Sequence, residues 1–359
     1  MKRVKITPAQ AGAILINVII STAIILLPGA AAKHDAWLVT MVGTVIGLLA
    51  AIIITSLGNS FPRQTIIEYS ETLLGKYAGK AVAALFLIFF IYLAGLTVRD
   101  LGDFATTTDY HQTPLVVFHI VIISIAIYAT RCGLEVIARV TELFLVIIFV
   151  ALSVMLTVIT LIPGFDLANL LPVFDAGYKP FIAGSMGAAD FLTQSLVLAM
   201  IIPFLTNKKA ARPAAFTGGI ISGLLLTLTA AFTLAVYGTM AVGLTFPFFN
   251  AVKMVSLGKT IERLDLILKP IWGMAVVMKA SFLLYITSLG TAQLLKLSDH
   301  KPLVLPVAII IVDMAHWVYA TEVEYQAAKH AIASYTLTMQ LLLPFLLLTI
   351  AFIRKKMQP

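Results

Sequence analysis

The stretch Ile14-Leu15-Ile16-Asn17-Val18-Ile19-Ile20-Ser21-Thr22-Ala23-Ile24-Ile25-Leu26-Leu27-Pro28-Gly29 decides the reading of this chain. It lies in an apolar run, residues 9–32, long enough to cross a bilayer, which takes about 20 such residues. Yet Asn17, Ser21 and Thr22 sit at its middle, and Pro28-Gly29 follows. Proline has no amide to donate and disfavours helix at the residue before it. Small polar side chains can satisfy the backbone groups that an interrupted helix frees inside a membrane. The pattern predicts a spanning helix broken part-way, with unwound amides around Ser21, Thr22 and Ala23.

Working outward, nine further stretches have the length and hydropathy of spans: 36–58, 82–104, 114–130, 138–162, 182–205, 213–238, 264–294, 302–320 and 334–353. The sixth repeats the anomaly of the first. It reads Gly184-Ser185-Met186-Gly187-Ala188-Ala189-Asp190-Phe191-Leu192-Thr193-Gln194-Ser195, with two glycines, a carboxylate and several neutral polar groups. Ten spans divide into two sets of five, and an odd number per set gives the sets opposite orientation. That is the inverted repeat of many secondary transporters, in which the first helix of each set is broken at mid-membrane. The expectation is therefore one all-α polytopic membrane domain over residues 1–359. Its first five-helix repeat is 1–162 and its second 182–353, with the first and sixth helices broken.

Composition agrees. Of 359 residues, 60% are hydrophobic and 12% charged, whereas soluble domains carry about 25% charge. That excludes an ordinary soluble enzyme, and it is the opposite of the bias that keeps a chain disordered. The net charge of +8 comes without basic runs or interleaved aromatics, so it does not point to nucleic acid. It tracks topology instead. With the N-terminus inside and ten alternating spans, sixteen Lys and Arg fall inside and eight outside, against five and ten acidic residues. Excess Lys and Arg mark cytoplasmic loops. Lys2, Arg3 and Lys5 before the first run, and Ala30-Ala31-Ala32 after it, have the outline of a signal peptide. The run is longer and more polar than a signal core, so it is kept as the first span. Cys132 is the single cysteine, so no intrachain disulfide or cysteine-based metal site can form.

Away from the turns at span ends, three charged residues stand out: Asp190, Lys279 in the eighth span and Asp313 in the ninth. Charge in a bilayer is costly and marks function by default. Lys279 has the place of a fixed cation or a partner for Asp190, and Asp313 has that of a residue reaching the interface or pairing with His316. Between the second and third spans, Ile66, Ile67, Tyr69, Leu73, Leu74 and Tyr77 form one apolar face, which predicts a short helix at the membrane surface. There is no metal-binding helix, P-loop or dinucleotide glycine pattern, so the sequence predicts no enzyme and no cofactor.

Several short motifs, in order along the chain, resemble one family. They are Ile6-Thr7-Pro8-Ala9-Gln10, Leu26-Leu27-Pro28 with Asp35-Ala36-Trp37, and Phe61-Pro62 with Glu68-Tyr69. Leu74-Gly75-Lys76-Tyr77, Thr113-Pro114 and Tyr128-Ala129-Thr130-Arg131 follow. Asn169-Leu170-Leu171-Pro172, Phe246-Pro247 and Glu262-Arg263-Leu264-Asp265 before Trp272 complete the set. Together they resemble the spore germination permease family, the B subunits of nutrient germinant receptors. That family lies within the amino acid–polyamine–organocation superfamily, with its LeuT-like fold. The resemblance implies sensing of a small nutrient, amino acids foremost, in the spore inner membrane. It implies a larger A-subunit membrane protein and a C-subunit lipoprotein as partners. The expected ligand site combines Ser21, Thr22, Ala23, Gly187, Asp190, Thr193, Gln194 and Lys279. A proton-coupled amino acid transporter, or a conduit for ions or water, are the competing readings. The charge bias makes one direct prediction: protease sites at both ends of the chain are protected in right-side-out vesicles and cut in inverted ones.

Overall fold

The computed structural model describes residues 5–255, 264–319 and 322–357, with the side chains of 322–323, 325–330 and 355–357 left aside. Lys2, Arg3, Lys259, Glu262-Arg263 and Ala320, which entered the reading above, lie outside the described residues.

The described chain is helical throughout, without a sheet. The spans are α1 (Pro8–Ala23), α2 (Ala36–Ser60), α4 (Lys76–Thr108), α5 (Leu115–Cys132), α6 (Leu134–Ile159), α7 (Tyr178–Leu192), α8 (Ala211–Tyr237), α10 (Asp265–Leu294) and α11 (Val304–Trp317). The tenth is α12 (Glu322–Leu337) continuing through a π-helical turn, Thr338–Leu342, into α13 (Leu343–Met357). Among the described residues, eight helical stretches are long and apolar enough to cross a membrane. The two remaining expected spans are formed by shorter helices, α1 of 16 residues and α11 of 14. At 1.5 Å per residue these reach about 24 and 21 Å, less than the ~30 Å of a hydrocarbon core. The surface helix forms as α3 (Ile66–Leu74), started by a reciprocal cap between Thr65 and Glu68, and its buried face packs on α4. A further short helix, α9 (Pro247–Met254), lies between α8 and α10.

Why α1 is short is readable in its backbone. Thr7 and Gln10 cap its start reciprocally, with Pro8 in the first turn. The last α-helical bond runs from the Ile24 amide to the Ile20 carbonyl, 3.0 Å. Pro28 has no amide to offer the Ile24 carbonyl four residues earlier. Gly29 then adopts φ +79°, a left-handed conformation that glycine tolerates. The break therefore falls at residues 24–29, about one turn later than expected. Ser21, Thr22 and Ala23 are still helical and offer no unwound amides. Hydroxyl side chains can stay within a helix by bonding back to it, whereas proline cannot. The sixth span also breaks later than the expected position at Asp190, which is still helical. α7 stops at Leu192, Thr193 leaves the helical region, and Gln194–Met200 and Ile202–Phe204 wind as 3-10 turns.

Five spans precede the 160–177 connection and five follow, and the first of each set is the broken one. α1 is central: every residue from Ala11 to Ala23 is buried, against α6, α8 and α10. α5 and α6 are peripheral, exposing Ile120, Val121, Leu143, Val146 and Val150 in bands that suit lipid. At the end holding both termini, Ile6 pairs with the strand-like segment after the sixth span. The Ile6 amide donates to the Phe204 carbonyl (3.1 Å) and the Thr206 amide to the Ile6 carbonyl (3.0 Å).

α2 crosses α7 through small residues, as membrane helices do when backbones approach closely. A Cβ on Gly47 would stand 2.4 Å from the Leu192 carbonyl oxygen, and one on Gly43 would stand 3.0 Å from Ala188. Gly47→Ala is expected to push α2 off the end of α7 and cost about 1–3 kcal/mol. It would be read as a fall in the melting temperature of the purified protein. Gly243→Ala, which meets open space, is expected to leave it unchanged.

Candidate functional site

The first break opens onto a cavity of about 270 Å³, with the helical part of the sixth span on its other side. Its walls are Leu26, Pro28, Gly29 and Ala30 from the first break, and Gly184, Gly187 and Phe191 from α7. Asp100 and Asp103 of α4, Phe246 before α9, and Tyr319 complete it. A mostly apolar wall with a few placed polar groups is the usual make-up of a small-molecule site, and this volume lies at the small end of the ~300–1,000 Å³ range.

The acidic wall has a defined structure. Arg99 Nε donates to both carboxylate oxygens of Asp103 (2.8 and 2.9 Å), and the Tyr319 hydroxyl donates to the same carboxylate (2.8 Å). The guanidinium stacks on the Tyr319 ring, 4.5 Å from its centre. It also donates to the Ala315 and His316 carbonyls (3.3 and 3.4 Å) at the C-terminal end of α11, where helix carbonyls lack partners. Arg99 thus fixes Asp103 and ties α4 to α11.

From the cavity toward the N-terminal end of α1 lies a buried polar layer, made where α10 crosses α1. The Lys279 ammonium donates to Thr22 Oγ1 at 3.0 Å, and Asp100 and Asp190 both act on it electrostatically. Asn17 Nδ2 donates to the Ala275 carbonyl (3.1 Å), and the Trp272 indole donates to the Ser21 carbonyl. At the second break, Gln340 stands on the π-helical turn, fully buried. Its amide nitrogen donates to the Asp190 carbonyl (3.3 Å), and its oxygen lies 3.1 Å from the Thr193 hydroxyl. π-Helical turns often mark functional positions.

A family model described as "Spore germination protein" matches residues 5–322. The chain belongs to that family. It is similar to spore germination protein KB of Bacillus subtilis (strain 168), 26% identical over 361 residues, with 99% of this chain and 97% of the relative covered. It is similar also to spore germination protein YndE of the same organism, 28% identical with 86% of each covered. Among solved structures it resembles Mhp1, a nucleobase-cation-symport-1 family transporter described in a closed conformation with bromovinylhydantoin bound. The TM-score is 0.73 at 13% identity, covering 99% of this chain and 80% of that one. A Na⁺-coupled sialic acid symporter in an outward-open state follows at 0.67, with 13% identity and 94% and 78% covered. These likenesses share the LeuT-type fold.

Within this member of the family the eight expected site residues separate into three places. Gly187 lines the cavity. Thr22 and Lys279 meet in the polar layer, with the Ser21 carbonyl beside them and Ala23 fully buried next in the helix. Thr193 and the Asp190 carbonyl meet Gln340, while Gln194 is buried with its side-chain oxygen unbonded among the described residues. Asp100 and Asp103 escaped the sequence reading because they lie in the last turn of the predicted span, 82–104, and count there with the external connection. The helix runs on to Thr108, placing Asp100 two turns inside it. Arg99, Asp100 and Asp103 within five residues of an apolar run were the available signal. Gln340 was also missed, although Thr336, Thr338 and Gln340 cluster in the tenth span.

Replacing Gln340 by methionine keeps its bulk and leaves the Asp190 carbonyl unmet. The expected cost is about 1–3 kcal/mol, seen as a lower melting temperature. Faster amide exchange over residues 190–200 than over α8 would place the loss at the break.

Proposed function

We propose that this chain is the nutrient-sensing membrane subunit of a spore germinant receptor. A small nutrient, of the amino-acid class, enters from the outer face and lodges in the cavity between the first break and α7. The cavity itself carries this reading: it is small, walled largely by apolar groups, and set where the interrupted first span faces α7 and the carboxylates of α4. The Asp100 carboxylate suits the ligand's ammonium group, and the backbone of residues 26–30 suits its carboxylate. Lys279 and Thr22 hold α1 to α10 just beyond the ligand, so occupancy bears on how these helices pack. In this reading both termini are cytoplasmic, the membrane is the spore inner membrane, and residues 1–162 and 182–353 are the two repeats. An A-subunit membrane protein and a C-subunit lipoprotein complete the receptor and report the occupied state. The chain does no covalent chemistry in this scheme.

The transporter fold of its structural neighbours supports a second reading, a proton-coupled amino acid transporter. Proteoliposomes separate the two: saturable uptake of labelled amino acid that follows a pH gradient favours transport, and binding without uptake favours sensing.

Gly187 offers a direct test of the cavity. A Cβ there meets only the Gly29 amide, at 4.0 Å, and Gly187 lines the cavity, so Gly187→Leu directs its side chain into that space and gains helix propensity. With the receptor subunits co-purified, at least one of the twenty amino acids is expected to raise the melting temperature of the native protein. Gly187→Leu is expected to lose that response while its unliganded melting temperature holds. No amino-acid response in the native complex would overturn the proposal.

A further inference from the structure

A large concavity lies at the opposite end of the bundle from the nutrient cavity, beside the N-terminal segment. It is a basin of about 900 Å³. Five cations line it, from five separate segments: Lys5 before α1, Arg63 between α2 and α3, Arg131 at the end of α5, Lys208 after the sixth span, and Lys301 before α11. Its two carboxylates are already engaged. Glu68 accepts the Thr65 amide at 2.8 Å, and Asp299 accepts the Lys301 amide at 3.2 Å. Among the described residues, none of Lys5, Arg63, Arg131 and Lys301 forms an ion pair, and Lys208 donates to the Pro62 carbonyl. His300 adds no charge at neutral pH, because burial of its ring lowers its affinity for a proton despite Asp299 beside it.

An excess of cations at the cytoplasmic end is expected from topology alone. Convergence is not. Lys76, Lys80, Lys209 and Arg212 share that end and stay out of the basin. The floor is apolar, formed by Leu289 and the buried Tyr285. One wall contains Phe204 and Leu205, which pair through backbone bonds with Ile6. An occupant of the basin therefore touches the joined ends of both broken spans.

We infer that this basin seats an acidic segment of a partner protein, with glutamate or aspartate side chains on the basic rim and an apolar residue on the floor. The segment takes the position of the Ile6–Leu205 pair as its input, and so carries the state of the broken spans to the partner. Charge complementarity at such an interface sets orientation and partner choice. The inference requires a partner at this end and does not require the nutrient to be an amino acid.

Cys132, the single cysteine, is exposed and lines the basin, so its alkylation rate reports occupancy without any added probe. The native chain is placed in nanodiscs of neutral lipid with a ten-residue peptide of alternating glutamate and leucine. The peptide is expected to slow maleimide reaction at Cys132 by about tenfold, the effect of some 1.4 kcal/mol of contact. Arg63→Gln with Arg131→Gln abolishes that protection, whereas Lys76→Gln with Lys80→Gln leaves it. In the co-purified receptor Cys132 is protected without peptide, and the Arg63/Arg131 double variant restores its reactivity. Equal protection by a glutamine–leucine peptide, or equal loss in the Lys76/Lys80 variant, overturns the inference. Protection by phosphatidylglycerol nanodiscs alone overturns it in favour of a lipid headgroup. A nutrient response that persists in the Arg63/Arg131 variant separates failure here from failure of the nutrient reading.

Discussion

An interrupted helix inside a membrane frees backbone groups that no water can satisfy, and each must find a partner within the protein. Much of this molecule follows from meeting that requirement twice. At the first break, Ala32 returns its amide to the Gly29 carbonyl at 2.8 Å, and the Thr40 hydroxyl reaches the Pro28 carbonyl at 3.3 Å. At the second, Gln340 serves the Asp190 carbonyl. These partners come from α2 and from the tenth span, which is why both must pack tightly against the breaks. The glycines along α2 and α7 permit that approach. The cavity is the space left where the first break faces α7 and α4.

The same requirement divides the bundle mechanically. Inner parts of the first and sixth spans are joined by backbone bonds at Ile6, and α10 grips α1 through Asn17, Ser21 and Thr22. α4 is tied separately to α11 by Arg99. A displacement of the joined ends therefore strains a few hydrogen bonds and leaves helices intact. That is the kind of bistable contact through which a ligand with different affinity for two arrangements can shift a population.

The outline of this fold was legible because the membrane imposes a strong rule on sequence. Ten apolar runs of the right length, with Lys and Arg favouring one set of connections, leave little freedom. The location of the first break was misread because attention went to hydroxyl residues. Backbone chemistry at Pro28 and Gly29 decided it instead. Asp100 and Gln340 were overlooked for other reasons: Asp100 lies in the last turn of its apolar run, where charge is expected to face outward, and Gln340 is one neutral residue in an otherwise apolar span whose partners come from a distant helix. No single-sequence signal pairs Arg99 with α11 or Gln340 with the sixth span, since those contacts join residues more than 140 positions apart. Lys279 and Thr22 both stand out in the sequence as candidates, Lys279 from its charge inside a span. Their pairing does not, because a hydroxyl in a helix commonly bonds back to its own backbone.

Energetics limit what the cavity can do. Driving a two-state equilibrium from one extreme to the other takes a preference of about 10⁴, or some 5.5 kcal/mol. A ligand that fits about 270 Å³ touches only a handful of polar groups, each worth about 0.5–1.5 kcal/mol, or up to about 3 where charged. It can switch the bundle only if the two arrangements are already close in free energy. The observed polar ties suit that condition, being one or two hydrogen bonds each at Thr22, Gln340 and Ile6. The remaining bias is then open to a partner at the far end of the same two spans.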